Sequence, residues 1–329
     1  MKTIEIRLAE SSDKEEILNL LNQVFDNVQK ADFKRGASFW KWKYEDNVFG
    51  KAILTVATID GKIVGFNNLW PWQFKHRGKA LKALQSCDSV VHKDFQKYGV
   101  FSRMRIDGIE RALHLGTDII FNFPNQNSLP VYLNLGWNYV GRPIWNISII
   151  NPMNIFISKF LKSEKSSPVK ISNAFKLDIQ KLEKLGRYKK YDKFIAIDYI
   201  ENFFEWRYLN HPTLEYGMVY LDKGHKSLAA IFTIKKSGRL TEMVIVDFVG
   251  NLNSLNELLP LIKSSAKLSK VDFFAFLHFG EFTKYELMKR GVIQMSKKNF
   301  TILPLNNTLE DYSSKFINWS MMATMHDSI

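Results

Sequence analysis

Two hexapeptides of one pattern constrain this chain more than any other feature. Phe39-Trp40-Lys41-Trp42-Lys43-Tyr44 and Phe203-Phe204-Glu205-Trp206-Arg207-Tyr208 both read Phe, aromatic, any residue, Trp, basic, Tyr. Residues 63–69 have a counterpart at 228–234, the strand-like run before residue 92 at 243–249, residues 119–123 at 271–277, and residues 132–136 at 287–291. The copies are separated by roughly 155–165 residues, the size of a domain. Aromatic clustering alone could imitate one match, but five in the same order point to two copies of one fold. At 329 residues the chain has room for both.

Taken in order, residues 4–8 alternate as a strand. Ser12-x-x-Glu15 reads as a capping box before Ile17, Leu18, Leu20, Leu21, Val24 and Phe25, an amphipathic helix. Residues 52–58 and 63–69 read as strands across an Asp60-Gly61 hairpin turn, and Arg77-Gly78 turns into 80–92. A polar loop at 93–99 leads to a helix whose apolar positions are Val100, Met104, Ile109 and Leu113. Residues 118–123 form a buried strand ended by Pro124, and Asn125 to Ser128 cap a short helix that stops at Gly136. Residues 137–142 and 145–150 are further strands. This order gives an α/β chain with a mixed sheet, not a doubly wound parallel one. The expected division is residues 1–150, a lysine- and serine-rich linker at 151–170, and a second domain at 171–329.

Strand, glycine-bearing loop and helix start form a physical arrangement for holding a phosphate. The first helical N–H groups lack intrahelical partners, and the helix dipole puts partial positive charge there. Gly99 lets the backbone turn with positive φ. An ordinary strand–helix turn would look similar. In the second copy the strand at 246–250 passes to the helix at 257–268 with no such loop, so one phosphate site per chain is expected.

Gln96-Lys97-Tyr98-Gly99-Val100-Phe101 resembles the [Q/R]-x-x-G-x-[G/A] signature of the GNAT superfamily of N-acyltransferases, with Phe101 departing from its last position. Val91-His92-Lys93-Asp94-Phe95 is similar to the family's approach to that loop, with Lys93 in place of proline. Asn125-x-x-Ser128-x-x-x-Tyr132-x-x-x-Gly136-Trp137 resembles the passage that follows the next strand. The hairpin at Asp60-Gly61 before Ile63-Val64-Gly65 is also familiar there. The whole resembles two tandem GNAT-like domains, the second degenerate, and is similar to N-acyltransferases acting on nucleotide-linked amino sugars.

The resemblance implies direct attack of an amine on the thioester of acyl-CoA in a ternary complex, with no metal. It implies that Val90, Val91, Gln96, Lys97, Tyr98, Gly99, Val100, Phe101 and Ser102 hold the acyl-CoA together with Asn125 and Ser128. Tyr132 stands where the family often supplies an acid to the departing thiolate, although its ring could equally cap the core. Asp88 and His92, four apart and so expected on one strand face, are candidates for base or amine-orienting group; each could be a satisfied structural partner. Trp40 or Tyr44 could stack on a sugar, or simply pack. His76 is a further candidate base, and Cys87, with no His–Asp arrangement readable around it, reads as core packing and not as a covalent acyl carrier. The implied acceptor is a small-molecule primary amine, a nucleotide-linked amino sugar for surface polysaccharide. The alternatives are an aminoglycoside, polyamine or protein lysine, or a non-catalytic module binding acyl-CoA or nucleotide.

Charge bears on partners. The formal net charge of +13 is spread out, with only short clusters such as Arg187-Tyr188-Lys189-Lys190. Nucleic-acid binding concentrates such charge with interleaved aromatics, so the diffuse excess suits polyanionic small molecules instead. No apolar run is long enough for a membrane span, and the first residues lack a leader's apolar core. A lone cysteine, Cys87, excludes an internal disulfide and fits a reducing cytoplasm. The oligomeric state is not legible.

Overall fold

A computed structural model describes residues 3–26, 35–158, 166–186, 193–277, 291–296 and 298–326. Of these, 3–26, 35–141 and 298–318 form one compact unit, and the remainder form a second.

The first unit opens with β1 (Glu5–Leu8) and α1 (Lys14–Asp26). The helix is started by Asp13, not by Ser12 and Glu15. The Asp13 carboxylate accepts the Glu10 N–H at 2.7 Å and is gripped by both Arg7 guanidinium nitrogens at 2.6 and 2.9 Å. Ile17, Leu20 and Leu21 are the face that α1 buries. A short helix, α2 (Ala37–Trp40), runs into a π-helical turn at Lys41–Glu45 that buries Trp42, Lys43 and Tyr44. β2 (Ile53–Ile59), β3 (Lys62–His76) and β4 (Lys79–Val91) follow as antiparallel neighbours. Their turns, Asp60-Gly61 and Arg77-Gly78, have positive φ at both residues, the geometry that matches strand twist.

Next come α3 (Val100–His114), β5 (Ile119–Asn122), α4 (Leu129–Asn134) and β6 (Asn138–Gly141). The buried face of α3 is Val100, Met104, Arg105, Gly108 and Ala112. Leu113, expected on that face, is 52% exposed, and the buried face includes a charged residue, Arg105. Close packing of α3 depends on Gly65, where a Cβ would stand 2.9 Å from the Met104 methyl.

The second unit contains β7 (Ile144–Ile149), α5 (Pro152–Ser158), β8 (Ser166–Pro168), α6 (Ile179–Gly186) and β9 (Ala196–Ile197). A second π-helical turn, Glu205–Leu209, precedes β10 (Gly217–Leu221), β11 (Leu228–Ser237), β12 (Leu240–Gly250) and α7 (Leu255–Leu268). β13 (Phe273–Leu277) and β14 (Val292–Ser296) complete it, and β15 (Phe300–Pro304) returns to the first unit.

The first unit's strand order is β1-β2-β3-β4-β5-β15-β6, and the second's is β10-β11-β12-β13-β7-β14 with β8 on β11. Both sheets are mixed, with β4–β5 and β12–β13 parallel. The repeat is thus real: hairpin, parallel partner and π-turn recur. The boundary differs from the expected residue 150, because β7 pairs with β13 and β14 while β15 enters between β5 and β6. The expected linker is also revised, since α5 and β8 lie within it. Residues 159–165, the Arg187 to Lys190 cluster and most of the 287–291 match lie outside the described residues.

Candidate active site

The site starts from a fork in the first sheet. β4 pairs with β5 only at Ala83, Leu84 and Gln85, yet stays paired with β3 as far as Val91 opposite Gly65. Between Phe66 and Asn68 the register shifts, and Asp88 turns through φ 49°, a bulge that bends β4. Among the described residues, the β5-facing backbone from Ser86 to Val91 is therefore left without a strand partner. The side chains of Val90 and Val91 are buried, and Val91 packs on Val100 and Met104. Any contact these two valines make with a ligand is through backbone.

Beyond β4, His92 caps a turn, its Nδ1 accepting the Asp94 N–H at 3.4 Å. The Gln96 amide donates to the Val91 carbonyl at 3.4 Å and so ties the loop to the strand. Lys97 and Gly99 then turn with φ 71° and 76°, and Gly99 is the residue before α3. Arg103 is the first residue whose N–H returns to this turn, donating to the Gly99 carbonyl at 3.1 Å. Among the described residues no protein acceptor pairs with the backbone N–H groups of Lys97, Tyr98, Gly99, Val100, Phe101 or Ser102. A Cβ on Gly99 would meet nothing within 4 Å. Unpaired donors, a helix N-terminus and open space suit a phosphate. Tyr98 is exposed beside them.

Across the fork, Asn125 accepts the N–H groups of Asn127 and Ser128, both at 2.9 Å, and thereby sets the start of α4. Ser128 turns its hydroxyl back to Asn125 Oδ1 at 3.2 Å. One turn on, Tyr132 is 2% exposed with its hydroxyl 2.9 Å from Ser86 Oγ. Trp137 lies edge-on to its ring at 4.7 Å, and Phe101 at 6.0 Å. That contact accounts for Phe101: the residue that breaks the signature is a wall for Tyr132.

A residue not singled out from the sequence joins this group. The Arg105 guanidinium bonds to Ser86 Oγ, Asn67 Oδ1 and Ser89 Oγ and lies 5.0 and 5.7 Å from the Phe101 and Tyr132 ring centres. Burial pulls it down from its ordinary value, while Tyr132 and Cys87 act the other way. The available signal was an arginine on the helical stripe that includes Phe101, Gly108 and Ala112.

Asp88 and His92 are not brought together as expected, because the bulge breaks the alternation between them. The Asp88 carboxylate meets Lys43 Nζ at 2.5 Å, accepts from the Tyr44 hydroxyl at 3.0 Å and lies 3.7 Å from Arg35. Burial favours its neutral form, but the charges of Lys43 and Arg35 outweigh burial and hold it below the ordinary carboxylate range. A base needs affinity for a proton and access to it. Asp88 has neither, and the geometry assigns it to anchoring the first hexapeptide against the bulge. Trp40 and Tyr44 are buried there, which leaves no face for a sugar. Cys87 is buried with its sulfur 3.2 Å from the Asn68 amide, and His76 stacks on Tyr312 at 4.3 Å.

The second hexapeptide repeats the anchor with different chemistry. Tyr208 and Tyr199 donate to the two oxygens of Asp247, each at 2.7 Å. Burial pushes the Asp247 carboxyl up to about 7, against the lowering effect of both tyrosines and Arg207. The fork recurs as well, since β12 pairs with β13 only from Glu242 to Ile245.

Residues 5–140 match the family model described as an acetyltransferase (GNAT) domain. Comparison with curated proteins gave no match. Among solved structures, the fold is similar to a probable N-acyltransferase of Enterococcus faecalis V583, with TM-score 0.64 and 11% identity over 95% of this chain and 75% of that one. A GCN5-related N-acetyltransferase from Anabaena variabilis ATCC 29413 gives 0.65 and 14% over the same shares. Saccharomyces cerevisiae N-myristoyltransferase, with bound myristoyl-CoA, gives 0.57 and 14% over 92% and 83%. At such identities the likeness is one of fold, and it spans both units. Residues 5–140 thus match an acetyltransferase (GNAT) domain, and the fold of both repeats is similar to that of N-acyltransferase structures.

Proposed function

We propose that the chain transfers an acyl group from acyl-CoA to the primary amine of a nucleotide-linked amino sugar. What carries the transferase part is one coincidence: the open β4 edge, the unpaired N–H groups ahead of α3 and the buried Tyr132 hydroxyl all lie within the matched domain. In this reading the N–H groups from Lys97 to Ser102 hold the pyrophosphate, and the edge from Ser86 to Val91 aligns the acyl–pantetheine arm. The neutral amine attacks the thioester carbonyl, the C–S bond breaks, and Tyr132 gives its proton to the departing thiolate. With Asp88 committed to Lys43, water or His92 is left to take the amine's proton.

The amino-sugar acceptor rests on charge. A net charge of +13 favours polyanionic reactants over aminoglycosides or polyamines. In the second unit, Lys236, Arg239, Lys267 and Lys270 line a depression of about 400 Å³. It lies at the end of that sheet away from the β12–β13 fork. Among the described residues no helix is long and apolar enough to cross a membrane; a cytoplasmic setting, where acyl-CoA and nucleotide sugars meet, fits this reading.

Thiol release with acetyl-CoA and longer acyl-CoAs, measured against nucleotide-linked amino sugars, polyamines, aminoglycosides and a lysine peptide, tests the proposal. Turnover confined to the cationic amines would sink the amino-sugar acceptor. No thiol release with any pair would sink the transferase. Tyr132→Phe is expected to lower kcat by about 10²–10⁴-fold, the range of a lost general acid. Stability should fall by only about 1 kcal/mol, for the lost bond to Ser86.

A further inference from the structure

Arg105 is 3% exposed, and among the described residues no carboxylate pairs with it. Its partners, Ser86, Asn67 and Ser89, are neutral, and its Nε has no acceptor. A buried cation normally has a counter-charge, because desolvation without one costs several kcal/mol. Two groups able to become an anion act on it, Tyr132 and then Cys87. The Cys87 thiol is turned to the Asp88 carboxylate at 4.0 Å, whereas the Tyr132 ring is 5.7 Å from the guanidinium and its hydroxyl shares Ser86 with it. Arginine stays protonated throughout. A counter-charge on the Ser86 side of the guanidinium therefore appears when Tyr132 gives up its proton.

We infer that Arg105 is a positioning residue for the transfer proposed above, supplying the counter-charge of the tyrosinate that Tyr132 becomes when it protonates the departing thiolate. The balance closes. The C–S bond breaks, the sulfur takes the phenolic proton, and the tyrosinate stands against the guanidinium with Ser86 as a donor. The proton lost by the newly acylated nitrogen then restores the phenol, through water. A cation held beside an acid that must turn negative stabilises the product side of the proton transfer, as preorganised dipoles do. Phe101 completes the setting, covering both the guanidinium and the Tyr132 ring.

The decisive variant is Asn67→Asp, which keeps the guanidinium and gives it a permanent carboxylate. Arg105→Met removes the charge, and Arg105→Lys keeps it. In the protein labelled with 13Cζ-tyrosine, the Tyr132 phenol–phenolate transition is expected at higher pH in Asn67→Asp and Arg105→Met than in wild type. Thiol release from acetyl-CoA is expected to fall at least tenfold in kcat in both, with KM for acetyl-CoA within about threefold and Arg105→Lys retaining most of the rate. In the Tyr132→Phe background, Arg105→Met should cost nothing further. A purely structural arginine predicts the reverse: Asn67→Asp gains an ion pair, folds more tightly and keeps wild-type kcat. That result, an unmoved transition, or losses that multiply in the double variant would overturn the inference. The titration needs no turnover, so absent activity in wild type, which sinks the transferase reading, is told apart from an unmoved transition, which sinks this one.

Discussion

Exchanging each buried aspartate for asparagine is expected to move stability in opposite directions, although the two occupy equivalent places in the repeat. Asp88→Asn should destabilise the first unit by about 3–5 kcal/mol at neutral pH, since it leaves Lys43 and Arg35 buried without their carboxylate. Asparagine can still accept from Tyr44, so the loss reports charge and not shape. Asp247→Asn should stabilise the second unit at pH 8. Asp247 is met by two neutral hydroxyls, and burial has raised its carboxyl to about 7.

The pH windows separate the two. Asp88 is depressed in the fold, so its contribution is fully present above the ordinary carboxylate range and is lost only as pH falls below it. Asp247 is raised from 3.8 to about 7, so the folded state binds the extra proton between those values. Wild-type stability therefore falls as pH climbs from about 4 to about 7 and levels off above, a change on the order of 4 kcal/mol for this group alone. Urea unfolding of wild type and both variants at pH 5 and pH 8 measures it. The gap between Asp247→Asn and wild type should widen by a few kcal/mol between those pH values, while the Asp88→Asn deficit stays constant. An Asp247 gap that does not change with pH would mean that this carboxyl is ionised in the fold throughout.

This contrast also marks how far the sequence carries. Two copies were legible because Trp, Tyr and a basic residue recur at fixed spacing, and that spacing builds the same π-turn twice. The hairpin turns were legible from Asp60-Gly61 and Arg77-Gly78, since turn chemistry is local. The partner of each buried Tyr was not, because Tyr44 and Asp88 are 44 residues apart and meet only through a bulge. A strand alternation cannot show a bulge, and so Asp88 and His92 read as neighbours on one face. The exchange of β7 and β15 was illegible for the same reason: each strand's own residues would satisfy either sheet. Arg105 was illegible because a charged residue within an amphipathic helix ordinarily lies on its wet side.

Gly99→Val is expected to remove acyl-CoA binding while sparing the fold, and the geometry says why the two effects separate. A Cβ at Gly99 would touch no protein atom within 4 Å, so no core contact is lost. The cost to the apo protein is conformational. Gly99 sits at φ 76°, where a β-branched residue is an outlier, and holding it there costs about 1–3 kcal/mol. The chain escapes that cost by rotating the loop, which swings the N–H groups of Gly99, Val100 and Phe101 away from a common centre. Two or three charge-assisted bonds to phosphate, at about 1.5–3 kcal/mol each, would go with them. Affinity for CoA should then drop at least a hundredfold by calorimetry, each 1.4 kcal/mol being tenfold. Gly99→Asn provides the control, since asparagine tolerates the left-handed region and keeps the donors aimed; it should bind CoA within about tenfold of wild type. If valine bound CoA as tightly as glycine, the loop ahead of α3 would not be the cradle, and the open edge of β4 would be left without an anchor for the cosubstrate.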